Sequence, residues 1–112
     1  MKITQSLKKN KEFQQVYKKG KSFANKYLVM VVLENDLEEN RLGISVSKKV
    51  GNSVQRHRLT RLIREGYRCS EENFLKGQDI VVVARVNARE IGYREIESAL
   101  NHLGKLHGII KK

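Results

Sequence analysis

Lys48-Lys49-Val50-Gly51-Asn52-Ser53-Val54-Gln55-Arg56-His57-Arg58-Leu59-Thr60-Arg61-Leu62-Ile63-Arg64-Glu65-Gly66-Tyr67-Arg68 is the stretch on which the reading of this chain turns. Seven of its residues are Lys or Arg, at 48, 49, 56, 58, 61, 64 and 68, and only Glu65 is acidic. Wound as a helix from about Val54, at about 100° per residue, the stretch separates into two faces. Leu59, Leu62, Ile63 and Gly66 fall on one side, and Arg58, Arg61, Arg64 and Arg68 fall within roughly 120° on the other. The apolar side is built to dock on a sheet. Asn52 or Ser53 suits the N-cap, and Glu65 is spaced to pair with Arg61 or Arg68. An ordinary solvated helix face mixes its signs. A face of Arg with one carboxylate repels itself until a polyanion arrives, and a guanidinium fork donates two parallel hydrogen bonds to a phosphate.

The rest of the composition agrees. One hundred and twelve residues suffice for a single domain spanning 1–112, with one modest core. A net charge of +11 points to a nucleic acid or an anionic membrane surface. No apolar stretch approaches the roughly 18 residues of a spanning helix, and the first 25 residues lack a signal-peptide core. The lone Cys69 has no disulfide partner and no zinc-site company, so the cytoplasm is the expected compartment. Residues 1–26 carry eight Lys against Glu12, and residues 41–68 carry eight Lys or Arg against Glu65. Between them lie Glu34, Asp36, Glu38 and Glu39, an acidic turn that implies a polarised surface.

Working outward, Arg41–Ser47 alternates Leu42, Ile44 and Val46 against Gly43, Ser45 and Ser47, which is a strand with one small, polar face. Small residues there leave room for a ligand backbone. Tyr27–Leu33 reads as a strand covered on both sides, with a short extended piece before it around Ser22–Asn25. Asp79–Arg85 reads as a buried strand. Met1–Asn10 reads as a basic, mobile start. Asn10 is then positioned to cap a helix over about 11–18, where Phe13, Val16 and Tyr17 share a face, and Gly20 stops it. Phe13 and Tyr17 suit either the core or the wall of a groove on which unpaired bases stack. Cys69–Gly77 reads as irregular and Asn87–Ile91 as a helical turn. Tyr93–Leu106 reads as an amphipathic helix that frays at Gly104 and Gly108. The order is an α+β layer arrangement.

Catalytic signatures are missing. There is no HExxH, CxxC, Walker A or G-x-S-x-G pattern. His57, His102 and His107 lack metal-ligand spacing, and the latter two read as surface residues. Cys69 has no visible base and reads as a buried or idle thiol. The acids of 34–39 stand apart from the arginines, so a nuclease acting alone is poorly supported.

At Lys48–Glu65 the run K-K-V-G-N-S-V-Q-R-H-R-L-T-R-L-I-R-E resembles the arginine motif of the protein subunit of bacterial ribonuclease P, roughly K-K-x-G-N-A-V-x-R-N-R-x-K-R-x-x-R-E. The resemblance extends through L-K-K-N-x-x-F-x-x-V-Y-x-x-G at 7–20, through G-I-S-V-S-K-K at 43–49 and through the strand ending Ala84-Arg85. It implies a small α/β sandwich with a mixed sheet, in which the arginine helix sits in a left-handed βαβ crossover. It also implies a partner, the catalytic RNA, which with Mg²⁺ cleaves precursor tRNA to free its 5′ end. The protein would bind no metal of its own, need no protein partner or membrane, and grip the 5′ leader.

Carried over, Lys48, Lys49, Gly51, Asn52, Arg56, His57, Arg58, Arg61 and Arg64 fall on the RNA-contact motif, and Arg68 continues that face. Phe13, Tyr17, Val29, Val31, Ser45 and Ser47 fall on the leader cleft, with Arg85 at its edge. Three positions depart from the motif. Ser53 replaces a small Ala, and Thr60 replaces a frequent Lys and removes a charge. His57 replaces an Asn that both donates and accepts, which an imidazole does only when neutral. The alternative function is another structural RNA-binding module of the ribosome-associated type. A helix-in-groove DNA reader would want a positioning helix before the recognition helix, and a strand precedes this one.

Overall fold

Along the three central strands, even-numbered residues face one way and odd-numbered residues the other, and this alternation assigns each to a layer. The computed structural model describes residues 4–111. In chain order its elements are β1 (Thr4–Ser6), α1 (Asn10–Lys19), β2 (Lys21–Ala24), β3 (Leu28–Glu34), β4 (Asn40–Ser45), α2 (Ser53–Ser70), β5 (Gln78–Ala84) and α3 (Tyr93–Leu106). The five strands form one mixed sheet in the order β1-β4-β5-β3-β2. β4 runs parallel to β1 and to β5, so the arginine helix α2 is the crossover between two neighbouring parallel strands. β3 lies antiparallel to β5 and to β2. This is the α+β arrangement expected from the sequence.

The even-numbered face is the main core. Leu28, Met30 and Val32 of β3, Leu42 of β4, and Ile80, Val82 and Ala84 of β5 pack there against Leu59, Ile63 and Tyr67 of α2 and Ile96, Leu100 and Leu103 of α3. A Cβ at Gly66 would stand 3.0 Å from Leu100, so the two helices cross where α2 has no side chain. Among the described residues, the odd-numbered face is covered by α1 and by Leu7 just before it, through a smaller cluster of Leu7, Val16, Val31 and Val81. α1 is short and mostly polar, and Val16 is its only fully buried residue. A helix of this length has little stability of its own and depends on what it packs against.

Several local expectations are corrected. Thr4–Ser6, read as part of a mobile start, is an edge strand, and the Thr4 hydroxyl lies 2.9 Å from the buried Tyr67 hydroxyl; residues 1–3 of that start lie outside the described residues. Asn10 does not cap α1. Lys9 occupies that place, and the Glu12 carboxylate accepts the amides of Lys8 and Lys9 at 3.3 and 3.1 Å. α2 continues to Ser70, so the segment read as irregular begins with its last turn, followed by a 3-10 turn at Glu71–Asn73 and a bridge from Phe74 to Ile110. The turn expected at Asn87–Ile91 is a 3-10 turn at Val86–Ala88. Cys69 is exposed rather than buried. His107 is half-buried: its Nε2–H donates to the Met30 carbonyl at 2.8 Å and its ring meets Phe23 edge-on at 4.7 Å.

Candidate nucleic-acid interface

The arginine helix begins on a reciprocal cap. Asn52 Oδ1 accepts the Gln55 amide and Gln55 Oε1 accepts the Asn52 amide, both at 2.9 Å. From this start His57, Arg61, Arg64 and Arg68 lie within roughly 60° of one another on the side away from the sheet, and all four are exposed. Arg61 and Arg64 have no hydrogen-bonding or ion-pairing partner among the described residues. Lys48 and Lys49 stand exposed in the turn that leads into the helix. Gly51 and Asn52 lie at the helix mouth.

Three arginines of the predicted set are placed differently. Arg68 is bound by Glu65 through two hydrogen bonds, at 3.0 and 2.5 Å. That pairing lowers the Glu65 carboxyl below its ordinary range and raises Arg68, so this end of the face is locally neutralised. Arg58 sits at the flank and donates to the Ile91 carbonyl at 2.9 Å. Arg56 turns toward the sheet, where it lines a depression with Ile44, Val46, Ser53, His57 and Thr60. The bare ridge therefore runs from the Lys48–Lys49 turn along His57, Arg61 and Arg64. Val54, which the charge pattern did not single out, stands on this outward side with 76% of its surface exposed.

The second part of the site lies on the sheet's other face, where pairing registers line up three rows across β3, β5 and β4. Leu33, Asp79 and Arg41 form the first, Val31, Val81 and Gly43 the second, and Val29, Val83 and Ser45 the third. α1 covers the second row. Val31 is only 6% exposed, and Phe13 lies over Gly43, where a Cβ would come within 2.6 Å of the ring. Val31 is thus a support beneath α1, not an open wall.

The third row is half-exposed and forms an open floor. Phe13 and Tyr17 stand on the α1 side, ring centroids 6.4 Å apart, with Tyr17 40% exposed. Val83 completes this floor and was missed. The apolar run 81–83 gave no hint that one of its faces is only half covered.

Beyond the floor, Ser47, Lys49 and Arg85 line one depression of about 330 Å³ with Val50, Ala84, Val86 and Asn87. Arg85 there braces the β2–β3 turn by donating to the Asn25 carbonyl at 2.7 Å. Ridge and groove therefore occupy opposite faces of the sheet and approach each other at this basic end. No three His, Cys, Asp or Glu side chains among the described residues are grouped to hold a metal ion. No helix among them is long and apolar enough to cross a membrane.

The family model described as Ribonuclease P matches residues 1–107. This chain belongs to the ribonuclease P protein family. The ribonuclease P protein component of Lachnoclostridium phytofermentans is 61% identical over 108 residues, covering 96% of this chain and 93% of the relative. That of Alkaliphilus metalliredigens is 52% identical, covering 92% and 93%. Among solved structures, the RNase P protein of Staphylococcus aureus superposes with a TM-score of 0.87 at 39% identity, covering 95% of this chain and 97% of that one. The RNase P protein of Thermotoga maritima superposes with a TM-score of 0.84 at 31% identity, covering 91% and 96%. A Staphylococcus aureus RNase P protein mutant described as defective in mRNA degradation activity also superposes at 0.87, with 40% identity and 94% and 89% coverage. The ribonuclease P fold is therefore shared by this chain along nearly its whole length.

Proposed function

We propose that residues 1–112 act as one clamping domain in a cytoplasmic ribonuclease P ribonucleoprotein, with hydrolysis carried out by the RNA subunit and its Mg²⁺. The observation that carries this reading is a ridge of Lys48, Lys49, His57, Arg61 and Arg64, unpaired among the described residues, on one face of the sheet, which approaches at its lysine end the open floor on the other. The ridge takes phosphates of the RNA subunit; Gly51 and Asn52 at the helix mouth, and Arg56, Arg58 and Arg68 at its margins, add contacts there. The groove takes the 5′ leader of precursor tRNA. Phe13 and Tyr17 offer ring faces for unpaired bases, Val29, Val83 and Ser45 form the floor, and Ser47 and Arg85 lead toward Lys49. Ring faces and phosphate contacts carry little sequence information, so the leader is held with little base preference.

Among the described residues no three His, Cys, Asp or Glu side chains are grouped to hold a metal ion, and the steps assigned to this chain are binding and positioning. The test is cleavage of precursor tRNA at the mature 5′ end, with Mg²⁺, by the chain alone, by a bacterial ribonuclease P RNA at low Mg²⁺, and by both together. Efficient cleavage by the pair supports the reading. Specific cleavage by the chain alone, of precursor tRNA or of a messenger RNA fragment, would overturn the division of labour.

A further inference from the structure

The first of the three rows under α1 carries charge where the other two are apolar or small. Arg41 Nε and Nη2 donate to the two Asp79 carboxylate oxygens at 2.8 and 2.6 Å, and its Nη1 reaches Glu12 Oε2 at 2.7 Å. Asp79 has 6% of its side chain exposed, whereas Arg41 and Glu12 have 28% and 29%. Asn35 Nδ2 donates to Asp79 Oδ1 at 2.9 Å and so fixes the carboxylate's plane. The guanidinium is held flat at the β4–β5 seam, with its remaining edge turned up to α1.

Glu12 is the neighbour of Phe13 in sequence and lies one helical turn before Val16, the fully buried anchor of α1. Glu12 and Val16 thus share a face, and Phe13 and Tyr17 follow each of them by one position, roughly 100° around the helix. A ten-residue helix attached at one buried side chain is free to roll about it; a second attachment on the same face removes that freedom. On β4 the same alternation places Arg41, Gly43 and Ser45 in line: the anchor, the seat of the Phe13 ring, and the open floor.

We propose that Arg41, clamped by Asp79 and reaching Glu12, is a positioning residue that fixes the roll and height of α1 over the sheet and so sets the width of the leader groove. It touches neither RNA nor leader. The proposal rests on the assignment of the groove to the 5′ leader, and its test separates the two.

The complex is reconstituted with a bacterial ribonuclease P RNA, and its affinity is measured for precursor tRNA with its leader and for mature tRNA. The variants are Glu12→Gln, Phe13→Ala and the two combined. Glu12→Gln keeps a side-chain oxygen for the Lys8 and Lys9 amides and leaves the Arg41–Asp79 pair intact, so the chain still folds. Glu12→Gln is expected to lower the leader-dependent gain in affinity about three- to tenfold, with mature tRNA bound as before. The combined variant is expected to lose less than the sum of the two single losses, because the anchor acts through the rings that α1 carries. A merely structural role would weaken both RNAs equally or add in full to the Phe13→Ala loss, and either result overturns the proposal. A loss in Phe13→Ala with none in Glu12→Gln overturns it while leaving the groove assignment standing. No leader-specific loss in any variant removes the assignment itself, and the proposal with it.

Discussion

The distal edge of the Phe13 ring lies against Gly43, so close that a single methyl group on the strand would stand 2.6 Å from two carbons of the ring. Gly43→Ala therefore has to lift the ring. Phe13 is half-exposed and has solvent to swing into, so the cost in stability is expected to be about 1 kcal/mol, at the low end for overpacking. The larger effect falls on the groove, whose aromatic wall is displaced. Urea melts and leader-dependent tRNA affinity check this; a Gly43→Ala protein that keeps wild-type leader affinity would show that the ring's position does not matter.

The pairing of Glu65 with Arg68 makes two neighbouring arginines unequal. Arg61→Ala removes an unpaired cation and should weaken binding to the RNA subunit, reducing the logarithmic salt slope by about 0.7 to 0.9 if it meets one phosphate. Glu65→Gln releases Arg68 and should steepen the slope by a similar amount. Salt titrations of the RNA complex read both, and an unchanged slope in Glu65→Gln would mean that Arg68 faces no phosphate. If about six phosphates are neutralised, the wild-type slope is roughly −4 to −5.

Asp79→Asn leaves the Arg41 guanidinium without its bidentate partner at a largely enclosed position. Truncating one side of such a pair is expected to cost about 2–4 kcal/mol, somewhat under the fully buried case because Arg41 keeps partial access to water. Denaturant melts measure it. A loss below about 0.5 kcal/mol would show the pair to be no stronger than a surface ion pair.

His107 gives stability a pH dependence of its own. Burial holds its imidazole below the ordinary value of 6.5, against the opposing pull of the Met30 carbonyl, and Lys21 adds to the lowering. The unfolded chain then takes up the proton first, so this contribution is present above about pH 6.5 and is lost as pH falls through the lower folded value. Glu12 and Glu65, both held below 4.5, lose their contributions only in more acidic solution. Between about pH 7.5 and 5.5 the wild type should lose more stability than His107→Gln, as read by urea melts at each pH. Equal losses would place the titration elsewhere.

How much of this could be read from residues alone differs from element to element. α2 was legible because Leu59, Ile63 and Gly66 recur at helical spacing against an arginine face, and the Glu65–Arg68 spacing already offered the pair that forms. β1 was not, because Thr4–Ser6 has no apolar alternation and is a strand only through its pairing with distant β4. The inward turn of Arg56 depends on Ile44 and Val46 lying beneath the first turn of α2, which no local pattern encodes. His107 looked exposed beside two glycines. Yet Gly104 is closely backed by Ile110 and Phe74, and the following segment pairs back through the Leu75 amide and the Ile109 carbonyl. The family resemblance already named Val29 and Ser45 for the groove, but that they flank Val83 in one row became visible only with the register, since the three come from three strands.

The leader clamp is tested most directly by comparing RNA subunit alone with RNA subunit plus this chain, each titrated with mature tRNA and with precursor tRNA. The chain is expected to strengthen binding of the precursor by an order of magnitude or more while leaving mature tRNA nearly unaffected. An equal gain for both RNAs would contradict it, because the groove behind Phe13 and Tyr17 would then have no leader to hold.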